Sequence, residues 1–519
     1  MVSLIPGKTL IKFDEQFPVY NWLYPMKGQD LDTTSHKELY GGLDVSGIRG
    51  RALYFHIPFC ETICTFCTLN RGLGTEGDEA IERYVQALIK EIQIKSRYAS
   101  VTSLPITAIF FGGGTPTTLT AGQIRRIGQA IHDHFDLSAL TEFTFEMEVK
   151  SITEEKCEAM RDIGLNKARF GLQTFDPQYR ELFNITATLD QTYAAAEMLR
   201  RHFDYTSFDI IYGLHGQTVE RFTRDVQQAL DMGTDTIEFY PITNLVTQAS
   251  LHHGYVRAGL EPLSFMQKMS LTMYLNEYVR AAGWQQHNGH GYLRLPDGEV
   301  PTAEPFITRR YTNVYNEFFW AYHDVDLMGF GNSAVSQSGE YTVMNDENRA
   351  TYTKSLLEDG DFKINVTVAD GVPYEKGIVF HLPYFGRLDK SRIEWDRIPG
   401  EIIDRLGRLA AEGLIVEDAG EYRITELGWI WYVNMMYYLS PESDQRILDD
   451  FVALKGRVKG ITDGDRAMAL PLAPAGSSMR PVTCSSGPSA AGPAAASGAG
   501  PAASGAGSAA GGAPWPSSS

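Results

Sequence analysis

The chain has 519 residues, 43% of them hydrophobic and 11% aromatic, and no apolar run approaches the roughly 20 residues that cross a bilayer, so a large globular protein fits and an integral membrane protein does not. Its formal net charge is −18 and its pI is near 5.2, with the acidity spread rather than blocked, which leaves no basic surface for nucleic acid. Five cysteines in a chain with no recognisable signal peptide point to a reducing cytoplasm and away from disulfides.

Residues 1–49 read as an N-terminal extension, and the first predicted strand is Ala52–His56. Directly after it come Cys60, Cys64 and Cys67 in a Cys-x3-Cys-x2-Cys spacing. Three thiolates can hold three irons of a [4Fe–4S] cluster and leave the fourth open to a substrate or cofactor, whereas a cluster with four cysteine ligands mainly passes electrons. A structural zinc site would show a second Cys/His pair, and only Cys157, in a predicted helix, and Cys484, in a low-complexity tail, remain. A strand at Ile106–Phe111 ends in the Gly112–Gly114 loop, and Ile124, Ile127, Ile131 and Phe135 then fall on one helical face. Further strands are predicted at Thr141–Val149, Ala168–Gln173, Ser207–Gly213 and Thr236–Thr243, separated by helical patterns such as Tyr193–His202 and Val219–Met232. Repeated βα units imply an α/β fold with a parallel sheet, and they put the cysteine loop at the carboxyl end of the first strand, where such sheets carry their chemistry.

Glu146 and Glu148 alternate with Phe145 and Met147, which predicts two carboxylates on one strand face, both in need of partners. His287 and His290 lie in the Gly-rich stretch Trp284–Tyr292; such pairs are more often hydrogen-bonded loop residues than ligands, and His252 and His253 are less specific still. Tyr311, Tyr315, Phe318, Phe319, Trp320 and Tyr322 fit either a flat aromatic substrate or an interdomain core. Beyond residue 375, Ile402, Ile403, Leu406 and Leu409, then Gly413–Val416 and Tyr422–Gly428, read as helix, strand and turn. Glu412, Glu417, Asp418 and Glu421 stand there where a DNA-binding face would need cations. From residue 468 the chain is Ala/Gly/Pro/Ser-rich and almost chargeless, a composition that reads as disordered.

Four stretches, Tyr54-Phe-His-Ile-Pro-Phe-Cys60, Phe111-Gly-Gly-Gly-Thr-Pro-Thr117, Gly171-Leu-Gln-Thr-Phe175 and Asp209-Ile-Ile-Tyr-Gly-Leu214, resemble in sequence, order and separation the radical S-adenosylmethionine (SAM) superfamily. Within it they resemble the HemN-like branch typified by oxygen-independent coproporphyrinogen III dehydrogenase, over about residues 50–340. The resemblance implies a partial (β/α)6 barrel. Its parts would be the N-terminal extension, including Tyr20-Asn-Trp-Leu-Tyr-Pro25, the radical SAM barrel at 50–260, a barrel-completing, substrate-contacting region at 261–374, a small winged-helix-like domain at 375–467 acting as lid or docking module, and the 468–519 tail.

The resemblance also implies the chemistry. Cys60, Cys64 and Cys67 would hold a [4Fe–4S] cluster whose open iron SAM chelates, and one electron would cleave the sulfonium to a 5′-deoxyadenosyl radical that abstracts hydrogen from carbon. Tyr54, Gly113 and Glu146 match positions that contact the first SAM, and His56 one that can relay a proton. Phe66, Gly114, Thr115, Gln173 and Asp209 match positions for a second SAM, and Ile242 and Val335 join the cofactor-binding set. The match breaks at Ile185, where the porphyrinogen-oxidising members have an arginine; an isoleucine cannot make a guanidinium's bidentate contact.

That departure argues against the dehydrogenase, and the missing His- or Cys-rich heme ligand motif against a heme chaperone. The small-residue tail is typical of a GC-rich genome, where class C radical SAM methylases of natural-product pathways are common. The reading favoured on sequence is therefore a class C, methylase or cyclopropane-forming enzyme that uses the second SAM as carbon donor to an sp2 carbon of an aromatic intermediate. A heme-methylating, ring-opening or coproporphyrinogen-oxidising enzyme is the alternative, and a heme-binding chaperone is the alternative of another class. The implied partners are a small aromatic substrate, an electron donor such as flavodoxin or ferredoxin, and a downstream tailoring enzyme.

Overall fold

Six alternating runs in the first half of the chain become six adjacent parallel strands. In the computed structural model the strands are β1 (Gly28–Leu31), β2 (Arg51–Ile57), β3 (Phe59–Cys60), β4 (Gly72–Leu73), β5 (Ile106–Gly113), β6 (Glu142–Met147), β7 (Lys167–Gln173), β8 (Tyr205–Tyr212), β9 (Thr236–Pro241), β10 (Trp284–Gln286), β11 (Gly291–Arg294), β12 (Asp326–Phe330), β13 (Val335–Ser338), β14 (Tyr341–Asn345) and β15 (Ile364–Ala369). The structure describes Leu10, Val19, 24–31, 35–67, 72–73, 77–245, 247–296, Gly298 and 314–459. These belong to the first of two units, residues 1–482; the second, 483–519, lies outside the described residues. The expectations placed on Tyr20, Trp22, Tyr311, Cys484 and the 468–519 tail also fall outside them.

The sheet order is β1-β15-β14-β13-β12-β2-β5-β6-β7-β8-β9-β11-β10, parallel from β12 to β9 and antiparallel on both flanks. Each predicted strand of the six is present, and helices such as Ala121–His134, Leu189–His202 and Val219–Asp231 cross between them. Capping boxes start two of these: Thr120 with Gln123, and Thr188 with Gln191. A seventh parallel strand, β12, and the antiparallel flanks are not legible in the sequence. Their partners are distant in the chain, as where β12 pairs with β2. The strand predicted at Thr141–Val149 is shorter, ending at Met147, so Glu148, still extended, lies just past it as the residue that starts the short helical turn Val149–Ser151.

The outward faces of these strands form the main core. Leu53, Phe55 and Ile57, Phe111, Phe143 and Phe145, then Phe170 and Phe208, all pack under the helices. Stacked pairs run along the sheet, Phe55–Phe111 at 4.6 Å and Phe111–Phe145 at 4.4 Å, each contributing about 0.5–1.5 kcal/mol beyond its buried area. The alternate residues face a lumen. At the amino end of β2, Arg51 is fully buried, grips Asp326 through Nε (2.5 Å) and Nη2 (2.7 Å) and donates from Nη1 to the carbonyls of Ser100 and Val101.

A second apolar cluster gathers the C-terminal segment, with β16 (Arg387–Asp389), β17 (Ile415–Glu417) and β18 (Glu421–Ile424) forming a three-stranded antiparallel sheet beside the helix Gly400–Ala411. The helix Glu426–Leu439 is apolar nearly all round and accordingly buried on nearly every side. Trp320 and Tyr322 join this cluster, while Tyr315 and Phe318 pack with Ala52, Ala108 and Phe110. Tyr315, Phe318, Trp320 and Tyr322 are thus all buried in apolar clusters. No described helix is long and apolar enough to cross a membrane.

Candidate active site

The cysteine loop leaves β2 at the carboxyl end of the sheet. Cys60 is buried, Cys64 and Cys67 are half-buried, and none of the four described cysteines forms a disulfide. Backbone bonds fix the loop's start: the N–H groups of Gly114 and Thr115 donate to the carbonyls of Ile57 and Phe59, both at 2.7 Å, and Thr115 Oγ1 lies 3.5 Å from Cys60 Sγ. Its far side is held by Asn184, whose amide donates to Ile63 O at 2.9 Å, and by Gln248, whose amide donates to Cys64 O at 3.1 Å. Thr65 Oγ1 donates to Leu182 O at 2.7 Å. Among the described residues no three His, Cys, Asp or Glu side chains are gathered for a single metal ion. Three thiols on one anchored loop, with Cys157 buried apart in the helical core, would suit a cluster in which each thiolate takes its own iron.

Around the loop stand the lumen residues. The Tyr54 hydroxyl and His56 Nδ1 are 3.0 Å apart, and burial holds the phenol well above its usual range. Gly113 has φ 106°, and a Cβ there would lie 2.6 Å from the His56 ring, so only glycine fits this crossing. Its N–H is taken by Glu146, not left pointing outward. Glu146 has its carboxyl pushed up to about 7, chiefly by burial, with Arg169 opposing and Asp209 reinforcing the shift. Glu148, also raised by burial, neighbours Lys150 and Glu61 at the loop's edge.

The remaining cofactor positions divide into three places. Phe66 packs edge-on to Phe183 at 5.0 Å and, with Ile185 and Ile242, joins an apolar cluster with Tyr179 and Leu251. Gln173 has φ 71° at a bulge in β7, and Asp209 pairs with Arg169 at 2.8 Å. Val335 lies on the antiparallel flank, its carbonyl against Gly329, the register partner of Tyr54.

Sequence reasoning missed Arg169, Glu238 and Tyr240. Arg169 Nη2 donates to the Tyr240 hydroxyl at 2.5 Å, and the His290 ring lies tilted against Tyr240 at 4.3 Å between centroids. His287 and His290 are both buried, and burial pushes each down to about 3, so both are neutral. The Tyr432 hydroxyl meets His290 Nε2 at 2.7 Å, which ties the buried C-terminal helix to the lumen. His252 Nε2 sits 3.0 Å from Thr247 Oγ1, a local structural contact. The legible signal for the missed residues is polarity at every second position of β6 to β9, since parallel strands covered on both faces are ordinarily apolar throughout.

Comparison with known proteins places this geometry. The radical SAM superfamily pattern matches residues 54–229. The chain is 27% identical over 390 residues to the oxygen-independent coproporphyrinogen III oxidase of Pseudomonas aeruginosa, covering 73% of this chain and 82% of that one. It is 28% identical over 397 residues to an anaerobilin synthase of Escherichia coli O157:H7, covering 76% and 84%. A heme chaperone HemW of Lactococcus lactis is 34% identical over 252 residues, 48% of this chain and 62% of that one. The solved coproporphyrinogen III oxidase (HemN) of Escherichia coli superposes with a TM-score of 0.64 at 22% identity, covering 79% of this chain and 94% of that one, so the fold is shared.

Proposed function

Since the chain belongs to the radical SAM superfamily, on its HemN-like branch, we propose that this radical SAM enzyme directs its radical at a tetrapyrrole-class substrate, a porphyrinogen or a heme, in the lumen above Tyr54, Glu146 and Arg169. The observation that carries the reading is the anchored Cys60–Cys67 loop opening onto a polar lumen at the strands' carboxyl ends. It is supported by relatives named for coproporphyrinogen III and anaerobilin chemistry that align over more than four-fifths of their length. A [4Fe–4S] cluster on Cys60, Cys64 and Cys67 would supply the single electron that cleaves SAM. The chain's own groups then have clear tasks. His56, hydrogen-bonded to Tyr54, can hold or pass a proton at Nδ1. Glu146 can take a SAM hydroxyl or ammonium group, and the packed aromatics beneath Tyr54 keep water from the lumen floor. A flavodoxin- or ferredoxin-like donor would deliver the electron.

One observation favours a second reading, in which a second SAM donates a methylene unit to an sp2 carbon. Ile185 is part of the apolar wall around Phe66 and Ile242, so no guanidinium stands there as in the porphyrinogen-oxidising pattern. The two readings separate in one experiment: anaerobic turnover of the reconstituted protein with dithionite, methyl-deuterated SAM, and either heme or coproporphyrinogen III. Unlabelled 5′-deoxyadenosine with consumption of the tetrapyrrole is expected. Deuterium in 5′-deoxyadenosine would move the assignment to methylene transfer, and SAM cleavage unaffected by either tetrapyrrole would overturn the substrate class.

A further inference from the structure

Asp209 stands on the inner face of β8 with acidic neighbours. Its register partner on β9 is Glu238, and Glu146 on β6 is the register partner of Arg169 on β7. Like charges directly opposite on neighbouring strands destabilise a sheet, so a carboxylate at 209 needs a cation to stay ionised. Arg169 is that cation, with Nη2 2.8 Å from Asp209 Oδ1, and beyond Arg169 no described residue bonds this carboxylate. Lys167, the other cation on β7, lies 3.7 Å from Glu142.

The two partners sit at different depths. Asp209 keeps 19% of its side chain exposed and Arg169 only 7%, so the carboxylate is the outer member of the pair and the guanidinium the inner one. The guanidinium is fixed in its turn. The same Nη2 donates to the Tyr240 hydroxyl at 2.5 Å, the Tyr240 ring is packed against His290, and His290 Nε2 meets the Tyr432 hydroxyl at 2.7 Å. Burial raises the Asp209 pKa, and of the groups that oppose the shift Arg169 comes first and Lys167 second. Removing one member of a buried ion pair leaves the other charge uncompensated, and a carboxyl answers by keeping its proton.

We propose that Arg169, braced by Tyr240, is a positioning residue that aims the Asp209 carboxylate at the lumen and keeps it charged, so that Asp209 accepts the hydroxyls or offsets the positive charge of a bound SAM. Arg169 acts through Asp209 and touches no cofactor atom itself. The proposal rests on SAM as the cofactor and not on the tetrapyrrole reading. Its test adds no tetrapyrrole, so the failure of one leaves the other untouched.

KM and kcat for 5′-deoxyadenosine formation are measured anaerobically with dithionite on the full-length, cluster-reconstituted protein at pH 6.5 and pH 9, each variant as a ratio to wild type at the same pH. Iron content and the EPR signal of the reduced cluster serve as the check of folding. Asp209→Asn should raise KM for SAM by about tenfold at both pH values, because a charged acceptor is lost. Arg169→Gln should raise it by about tenfold at pH 6.5 but by less than about threefold at pH 9, where the carboxylate ionises unaided, with kcat within about threefold at both. Glu146, Glu238 and Tyr240 also feel the guanidinium. The double variant of Arg169→Gln with Asp209→Asn separates them from Asp209, and its KM should match Asp209→Asn at both pH values. Arg169→Lys keeps the charge without the planar fork, and Tyr240→Phe removes the brace; each should raise KM by about threefold, and together they carry the test if Arg169→Gln does not load iron. In that case, KM unchanged in both overturns the proposal. A rise in Arg169→Gln that is equal at both pH values, or a recovery at pH 9 that persists in the double variant, overturns the action through Asp209. KM for Asp209→Asn equal to wild type overturns Asp209 as the acceptor.

Discussion

The two faces of β6 pass through the same six residues to different ends. Outward, Phe143, Phe145 and Met147 vanish into the main core beneath the helices. Inward, Glu142 accepts the Val314 N–H at 2.6 Å and the Thr144 hydroxyl at 3.0 Å, and Glu146 sits against the glycine loop with a strongly raised pKa. The outer face tolerates any well-packed apolar set of the right volume, since burial has no direction. The inner face depends on particular atoms, since each buried polar group needs its own partner. Stability and chemistry are thus divided across a single strand, and that division can be attacked from either side.

The largest effect is expected on the outer side. Phe143 is fully buried three residues before Glu146, and Phe143→Ala should cost about 3–5 kcal/mol of unfolding free energy, read from urea denaturation. SAM cleavage per mole of iron-loaded, folded protein should stay within about threefold of wild type. A loss of cleavage as steep as the loss of stability would show that the two faces are not separable.

The inner side carries a pH signature. The Glu146 carboxyl, raised to about 7 by burial, stays protonated in the folded protein over a range where the unfolded chain has already released its proton. Its contribution to stability is therefore fully present below about pH 4.5 and is lost as pH rises through about 7, a swing of about 3 kcal/mol. Asp209 and Glu238, also raised by burial, act in the same direction, so the difference between wild type and Glu146→Gln isolates one group. Unfolding free energies at pH 5 and pH 8, without SAM, should fall more for wild type than for the variant. Parallel slopes would mean that Glu146 ionises freely and that the lumen is wetter than its packing implies.

The same division explains how much of the molecule is legible in its sequence. Apolar residues at every second position locate all six strands of the parallel run, because the outer face repeats a simple period. The cysteine spacing locates the loop that carries the chemistry. Arg169, Glu238 and Tyr240 are missed because polarity at every second position of one strand looks like ordinary solvent exposure; it marks a lumen only once the four strands β6 to β9 are known to be parallel neighbours covered on both faces. The β12–β15 flank is hidden for a related reason. Its place depends on contacts such as Arg51 with Asp326, far apart in the chain. Ile185 reads in the sequence as a lost contact, whereas the structure also shows what it gains, a place in the apolar wall beside Phe66.

The smallest expected effect lies where the two faces meet, at the clamp on the cysteine loop. Asn184 adopts φ 60°, a left-handed conformation that asparagine tolerates better than most residues, and this conformation accompanies the amide bond to Ile63 O. Asn184→Gly keeps the backbone geometry and removes only the side-chain bond, worth about 1 kcal/mol, whereas Asn184→Ala removes the bond and adds about 1 kcal/mol of left-handed strain. Iron extraction by a chelator from reconstituted protein should accordingly quicken by about fivefold in the glycine variant and by about twentyfold or more in the alanine variant, with the global unfolding free energy lowered by no more than about 1 and about 2 kcal/mol. Equal rates in the two variants would show that the bond alone, and not the turn it accompanies, holds the loop. Rates equal to wild type in both would place the stability of the loop in Gln248 and Thr65, whose bonds to Cys64 O and Leu182 O remain in either variant.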